Sequence, residues 1–196
     1  MITKQELPLD ATVAGETYEQ CHFDYAQDTI KLDSVHFINC TFEQTDFKFS
    51  EWLDCTLTQC RLPNADFSNS LIYRTKFMNC QLTGVNFTRN RWHDSTVSDC
   101  QGMYLIMAES ILKNCQFNET KLTDSSFQSV RVQSKLVFSE CELSGADFTD
   151  TALNHVDISK ANFESLTFTP SLIRGLKINS WQAAMLLGEM GVDVAD

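Results

Sequence analysis

An all-β repeat fold, built of short extended segments separated by corners and finished by one short C-terminal α-helix, is what this sequence predicts. Three observations carry that prediction. Large apolar residues recur at every fifth position, small residues recur two positions before each of them, and the period stops near residue 178, where a helical pattern begins. A period of five suits neither the 3.6 residues of a helical turn nor the simple alternation of a strand.

The stretch "HFINCTFEQTDF" shows the period, with Phe37, Phe42 and Phe47 in step. Continued by fives it runs through Trp52, Leu57, Leu62, Phe67, Ile72, Phe77, Leu82, Phe87, Trp92 and Val97. After Gly102 it resumes from Met107 to Val132. Nineteen of these twenty positions are apolar in a chain that is 43% hydrophobic, so the period is a property of the fold rather than of composition. The phase slips by one residue within "SKLVF" and then runs unbroken from Phe138 to Ile178. Of the phenylalanines only Phe49 lies off the lattice. The second series, from Val35 to Val130, is Ser, Thr, Cys, Ala or Val at every position except Asn90 and Leu105. One large and one small residue two apart face inward, and three outward positions separate successive pairs. Gly102, standing where a large residue is due, predicts a local hole, bulge or kink at "CQGMY".

The units "ADFSN" (65–69), "VNFTR" (85–89), "ADFTD" (146–150) and "ANFES" (161–165) resemble the pentapeptide-repeat family. The resemblance covers about residues 16–178. It implies a right-handed, quadrilateral β-helix in which four pentapeptides make one coil, each coil stacking on the next at the sheet spacing of ~4.8 Å. The expected division is a lead-in (1–15), the β-helix (16–178) and a helix and dimerisation tail (179–196). Counting by coils places Phe47, Phe67, Phe87, Phe127, Phe148 and Phe168 in one core ladder, with Met107 between.

All eight cysteines occupy the small inward position. Cys40, Cys60, Cys80 and Cys100 are one coil apart, and Cys21 and Cys141 join their column once the slips are counted. Their spacing is that of the core lattice and not of a metal site, and reduced core filler is the expectation. His22, His36, His93 and His155 fall on outward positions without chelating spacing. Asp46, Asp66, Asp147 and Asp157 each precede a large inward residue, where corner hydrogen bonding to backbone is expected. No nucleophile, Walker or dinucleotide motif is present. No enzyme is expected, and no catalytic residue, cofactor, metal or small-molecule substrate.

Composition bounds the partners. The chain has 196 residues and a net charge of −11, which argues against direct nucleic-acid binding, since phosphate contacts need Lys and Arg. No apolar run approaches the ~18 residues of a membrane helix and the N-terminus lacks a secretory pattern, so no membrane contact and a cytoplasmic location are expected. Charge is uneven: residues 1–66 hold 12 acids and 4 bases, residues 67–135 hold 5 and 8, and residues 136–196 hold 9 and 3.

After Ile178, Asn179 and Gln182 have capping-box spacing, a helix is expected at about 180–190, and Gly191 suits its C′ position. Its apolar residues exceed what one coil end needs to cover. Trp181, Ala184, Met185, Leu186, Leu187, Met190, Val192 and Val194 are therefore the expected homodimer interface. The segment "LIRGLKINSWQAAMLLGEMGVDV" resembles the C-terminus of Qnr- and MfpA-type members of the family. That resemblance implies a DNA-mimicking rod that dimerises through this end and binds bacterial type II topoisomerases, DNA gyrase or topoisomerase IV. It also implies a link to resistance against quinolones or other gyrase poisons. The expected partner-binding acidic face is Glu142, Asp147, Asp150, Asp157 and Glu164. No insert matches the loops that interrupt many Qnr proteins; only single-residue slips near 24–31 and 135–137 are seen. The lattice alone equally supports an interaction scaffold for a different protein.

Overall fold

In the computed structural model, which describes residues 1–194, the chain winds as a four-sided parallel β-solenoid. The first side is a nine-stranded parallel sheet running from Ile2–Thr3 to Val156–Asn162, which makes about eight turns. The fourth side is a six-stranded parallel sheet from Lys31–Asp33 to Arg131–Val132. The second side starts with three strands at Glu6–Pro8, His22–Asp24 and Thr41–Phe42, then continues as single bridges Arg61–Gln81–Gln101–Lys121–Glu142. The third side carries bridges Asp46–Asp66–Asn86 and Ile106–Ser126–Asp147 and ends in paired strands Ala146–Phe148 and Leu166–Phe168. The ladder starts earlier than the repeat pattern: Ile2 pairs with Tyr18 and Glu6 with His22, so the expected lead-in is already part of the coil.

The register confirms the coil length. Phe37, Leu57, Phe77 and Val97 are cross-strand partners at intervals of twenty. The slips are accommodated locally. Tyr18 pairs with Phe37 and Phe117 with Phe138, one residue short and one long. At the first slip residues 25–29 form a loop on the third side. Asp10 Oδ2 accepts from the N–H groups of Gln27 and Asp28, and Gln44 Oε1 from that of Ala26.

Most corners are made by a residue in the left-handed region, two positions after the large inward residue. Asn39, Asp54, Asn64, Asn69, Asn79, Asp94 and Asp99 all have φ between 51° and 61°. Such a conformation costs ~1–2 kcal/mol for a residue with a Cβ, least for Asn and Asp. It turns the corner N–H toward the next coil, as in Asn39 N to Thr58 O (2.8 Å), Asp54 N to Tyr73 O (2.9 Å) and Asp99 N to Asn118 O (3.0 Å). Phe49, at φ 59° and 67% exposed, makes a corner too, which is why it lies off the inward lattice.

Inside, the rings stack along the axis. Phe47 and Phe67 lie 4.6 Å apart and 8° from parallel, Phe67 and Phe87 5.1 Å apart, and Phe127 and Phe148 5.0 Å apart at 8°. Phe47, Phe67, Phe87, Phe127 and Phe148 are buried, whereas Phe168, in the last full coil, is half-buried beneath the C-terminal helix. The small inward series is a polar ladder as well as filler. Ser50 and Ser110 donate to Phe47 O (2.6 Å) and Phe87 O (2.7 Å), and Thr75 to Trp52 O (3.2 Å). Cysteines substitute for hydroxyls in the same role: Cys40 Sγ donates to Tyr18 O (3.3 Å) and Cys80 Sγ to Leu57 O (3.4 Å). All eight are free and buried.

The expected defect at Gly102 is corrected. The bridges Gln81–Gln101–Lys121 run through it, and Gly102 N donates to Lys121 O (2.8 Å). A Cβ there would lie 3.1 Å from Leu122 Cδ2 and 3.5 Å from Leu105 Cδ1. Leu105, oversized for its own site, fills the volume that Gly102 vacates, so the two exceptions to the pattern cancel. Asn90 is a true exception: Ser70 N donates to its Oδ1 (2.8 Å), but its Nδ2 and the nearby Trp92 Nε1 are buried without partners.

If the ring ladder is the main apolar support, Phe87→Ala should destabilise the protein by ~3–5 kcal/mol in chemical denaturation. A loss below ~1 kcal/mol would contradict the stacked register.

Candidate functional site

The last coil exposes open backbone at its end, and the tail is built to close it. The helix spans Ser180–Glu189. Asn179 Oδ1 accepts from Trp181 N (3.0 Å) and Gln182 N (2.9 Å), while Gln182 Oε1 accepts from Asn179 N (2.9 Å), completing the capping box. Gln182 does more than cap. It is 2% exposed, and its Nε2 donates to Ile158 O (2.8 Å) and Ala161 O (2.7 Å), satisfying carbonyls that no further coil would meet. Asn179 Nδ2 adds a bond to Ser159 O (2.9 Å). Past the helix end Gly191 (φ 78°) takes the C′ position, with Gly191 N donating to Gly188 O and Val192 N to Leu187 O, a Schellman arrangement.

One turn beyond Gln182, Leu186 enters the end of the core beside Phe168 and Leu176. Leu186 is thus removed from the expected dimer interface: it is 3% exposed within its own chain. Met185 is half-buried against the same core. The physical reason is the anchoring of Gln182, which rotates the i+4 position onto the coil end. The remaining expected residues face outward: Trp181 (71% exposed), Ala184, Leu187, Met190, Val192 and Val194. The last two residues of the expected tail, Ala195 and Asp196, lie outside the described residues.

The five acidic residues expected to form one face are spread over three sides. Glu142 lies on the second side and Glu164 at the corner after it, its N–H donating to Ser144 Oγ (2.9 Å). Asp147 lies on the third side, Asp150 at the following corner, and Asp157 on the first. Sequence separation alone conceals this, because five residues move the chain to the next side. Asp147 and Asp157 also serve their own corners: Oδ1 of each accepts from the N–H two residues on, Thr149 (2.8 Å) and Ser159 (3.0 Å). Asp46 and Asp66 do the same with Lys48 and Ser68. Partial burial opposes ionisation of Asp157, but the Lys177 ammonium at 2.8 Å and the bonds from Ser159 outweigh it and hold the carboxyl below the usual range. Asp147 is likewise lowered by Thr149 and Gln128 against its burial.

Other chemistry is sparse. Burial pushes the thiols of Cys55 and Cys141 up to about 11 and of Cys115 to about 12, so these sulfurs stay protonated and unreactive. Among the described residues no cluster of His, Cys, Asp and Glu is arranged to hold a metal ion, and no helix is long and apolar enough to cross a membrane. Gln182 is the functional residue that sequence reasoning saw only as a capping partner. Its burial follows from the unpaired carbonyls at the coil end, a requirement the repeat itself imposes.

Comparison with known proteins agrees with the geometry. A family model described as a pentapeptide repeat region matches residues 30–102 and 108–178. No curated protein sequence matches the chain. Among solved structures, a trypsin-treated variant of QnrB1, a plasmid-mediated fluoroquinolone resistance protein, superposes with a TM-score of 0.55 at 17% identity. The match covers 100% of this chain and 99% of that one. Full-length QnrB1 gives 0.50 at 16% identity over 97% and 100%. HetL, a pentapeptide repeat protein involved in heterocyst differentiation regulation from the cyanobacterium Nostoc sp. strain PCC 7120, gives 0.41 at 13% over 90% and 86%. At such identities the likeness to QnrB1 is one of fold.

Gln182→Ala should cost ~2–3 kcal/mol, because it leaves two buried carbonyls and one N–H unpaired. Glu189→Ala, exposed on the same helix, should change unfolding by less than ~0.5 kcal/mol. Equal effects in urea denaturation would contradict the capping role.

Proposed function

Because this chain belongs to the pentapeptide-repeat family, we propose that it acts as a DNA-mimicking partner of a bacterial type II topoisomerase, DNA gyrase or topoisomerase IV, working as a homodimer. The observation that carries the reading is the C-terminal helix. Gln182 and Leu186 use one side of it to close the coil, and Trp181, Leu187, Met190, Val192 and Val194 remain as an exposed apolar surface. That is more than an end cap needs, and a second copy of the same surface would cover it in a two-fold contact. The segment that follows the last repeat is also the one whose sequence resembles Qnr- and MfpA-type tails.

Two solenoids joined end to end would make a rod of ~75–80 Å. The acid-rich segment 136–196 of each would lie next to the junction. Duplex DNA carries about one charge per 1.7 Å, or ~45 over that length, against −22 for a pair of chains at −11 each. The mimicry is therefore sparse and rests on placement. Carboxylates on three sides of the rod near its centre suit a saddle that grips duplex from several directions better than a flat basic surface. Resistance to quinolones or other poisons is the consequence expected if binding displaces DNA from the enzyme.

Purified protein should lower gyrase or topoisomerase IV activity, or reduce quinolone-induced cleavage. Leu187→Asp with Met190→Asp should convert dimer to monomer in sedimentation and weaken that effect. Supercoiling, relaxation and cleavage all unchanged by wild-type protein would contradict the proposal.

A further inference from the structure

Parallel register turns the outward residues of the fourth side into two columns along the rod. One reads Leu71, Arg91, Ile111, Arg131, and the other Tyr73, His93, Lys113, with Gln133 following. Between them runs a groove of ≈ 340 Å³ lined by Tyr73, Arg91, His93, Ile111, Lys113 and Gln133 over the Trp92 backbone. Tyr73 and His93 are stacked, with centroids 5.6 Å apart and planes at 24°. Arg91, Lys113 and Arg131 are exposed, and among the described residues none has a carboxylate within 4.0 Å. Nearer the N-terminus the same side neutralises its cations: Lys31 pairs with Glu51 at 3.1 Å and Arg74 with Asp54 at 2.7 Å. The unpaired cations thus lie in the one third of the chain, 67–135, where bases outnumber acids, 8 to 5.

We propose that this groove is a second interaction surface, which docks an acidic segment of a protein partner. Its chemistry favours carboxylates accompanied by apolar side chains. Arg91 and Arg131 stand two coils apart, ~10 Å, with Ile111 between them and half-buried Leu71 beyond, so charge and apolar contact alternate along one line. Arg and Tyr beside aliphatic residues are the composition of energetic centres in protein interfaces. A nucleic-acid strand fits less well. Tyr73 and His93 turn their facing ring surfaces to each other, which leaves fewer faces for bases. The free cations of the column from Arg91 to Arg131 also span only two coils, ~10 Å, too short a track for a long phosphate chain. Beyond them lie the neutral pairs Lys31–Glu51 and Arg74–Asp54 at one end and Asp150 at the other. This surface stands on its own residues and does not depend on the partner being a topoisomerase.

The test is fluorescence anisotropy with a short labelled peptide rich in glutamate and containing leucines, run beside a labelled oligothymidine of equal length. Wild-type protein should bind the peptide more tightly than the oligonucleotide, and the affinity should fall as salt rises from about 50 to about 200 mM. Arg91→Glu with Arg131→Glu should weaken peptide binding at least about tenfold while leaving the melting temperature near wild type, because both side chains are exposed. Lys121→Glu, on the opposite side, should leave binding unchanged. No saturable peptide binding, equal binding by the double variant, or tighter binding of oligothymidine would each overturn the proposal.

Discussion

The structure depends on one constraint: every backbone N–H and C=O that points along the rod must find its partner in the coil above or below. A flat strand meets this requirement easily, but a corner does not, because a turn normally directs its amides outward. Here most corner residues adopt the left-handed conformation and bond their N–H to the next coil, as Asp54 does to Tyr73 and Asn79 to Ser98. The conformational cost recurs at every turn of the chain, and the hydrogen bonds and stacked core offset it collectively. The preference for Asn and Asp at these positions is the sequence record of that cost. Where Phe49, Arg74, Arg89 and Tyr104 take the same place, the surrounding ladder is strong enough to hold less suitable residues.

The same constraint explains which parts of the molecule were legible from sequence. Inward positions must repeat because each coil is the template for the next, so the Phe47–Phe67–Phe87 ladder, the cysteine column and the slip near residue 136 were all readable. The Asn179–Gln182 cap was readable because it has a local signature. Features that depend on pairs of distant residues were not. Leu105 filling the volume left at Gly102 requires knowing that adjacent repeats share interior space at that corner. Leu186 turning inward requires knowing where Gln182 is fixed by Ile158 and Ala161. The loop at 25–29 looked like a one-residue slip, yet it leaves the third side of that coil without a bridge to its neighbours. The acidic residues looked like a cluster because they are close in sequence, but a walk of five residues changes the side of the rod.

A solenoid with this interior has little freedom to build a pocket, so its specific chemistry is confined to outward side chains and to the ends. At the C-terminus the helix satisfies the last carbonyls and leaves an apolar outer surface, while the body of the rod varies in charge from coil to coil. Outward columns at a fixed spacing act as a rigid ruler: residues twenty apart become neighbours, and charge placed on one side stays there. The acids flanking the C-terminal end and the cations of the fourth side are therefore separate surfaces on one stiff support.

Amide hydrogen exchange at the corners addresses the underlying claim most directly. If the coil-to-coil bonds hold the fold, the N–H groups of Asn39, Asp54, Asn79 and Asp99 should exchange slowly, although they lie at the corners of the rod. Their opening free energies should approach that of global unfolding. Exchange of these corner amides on the timescale of a free loop, with only the inward core protected, would contradict it.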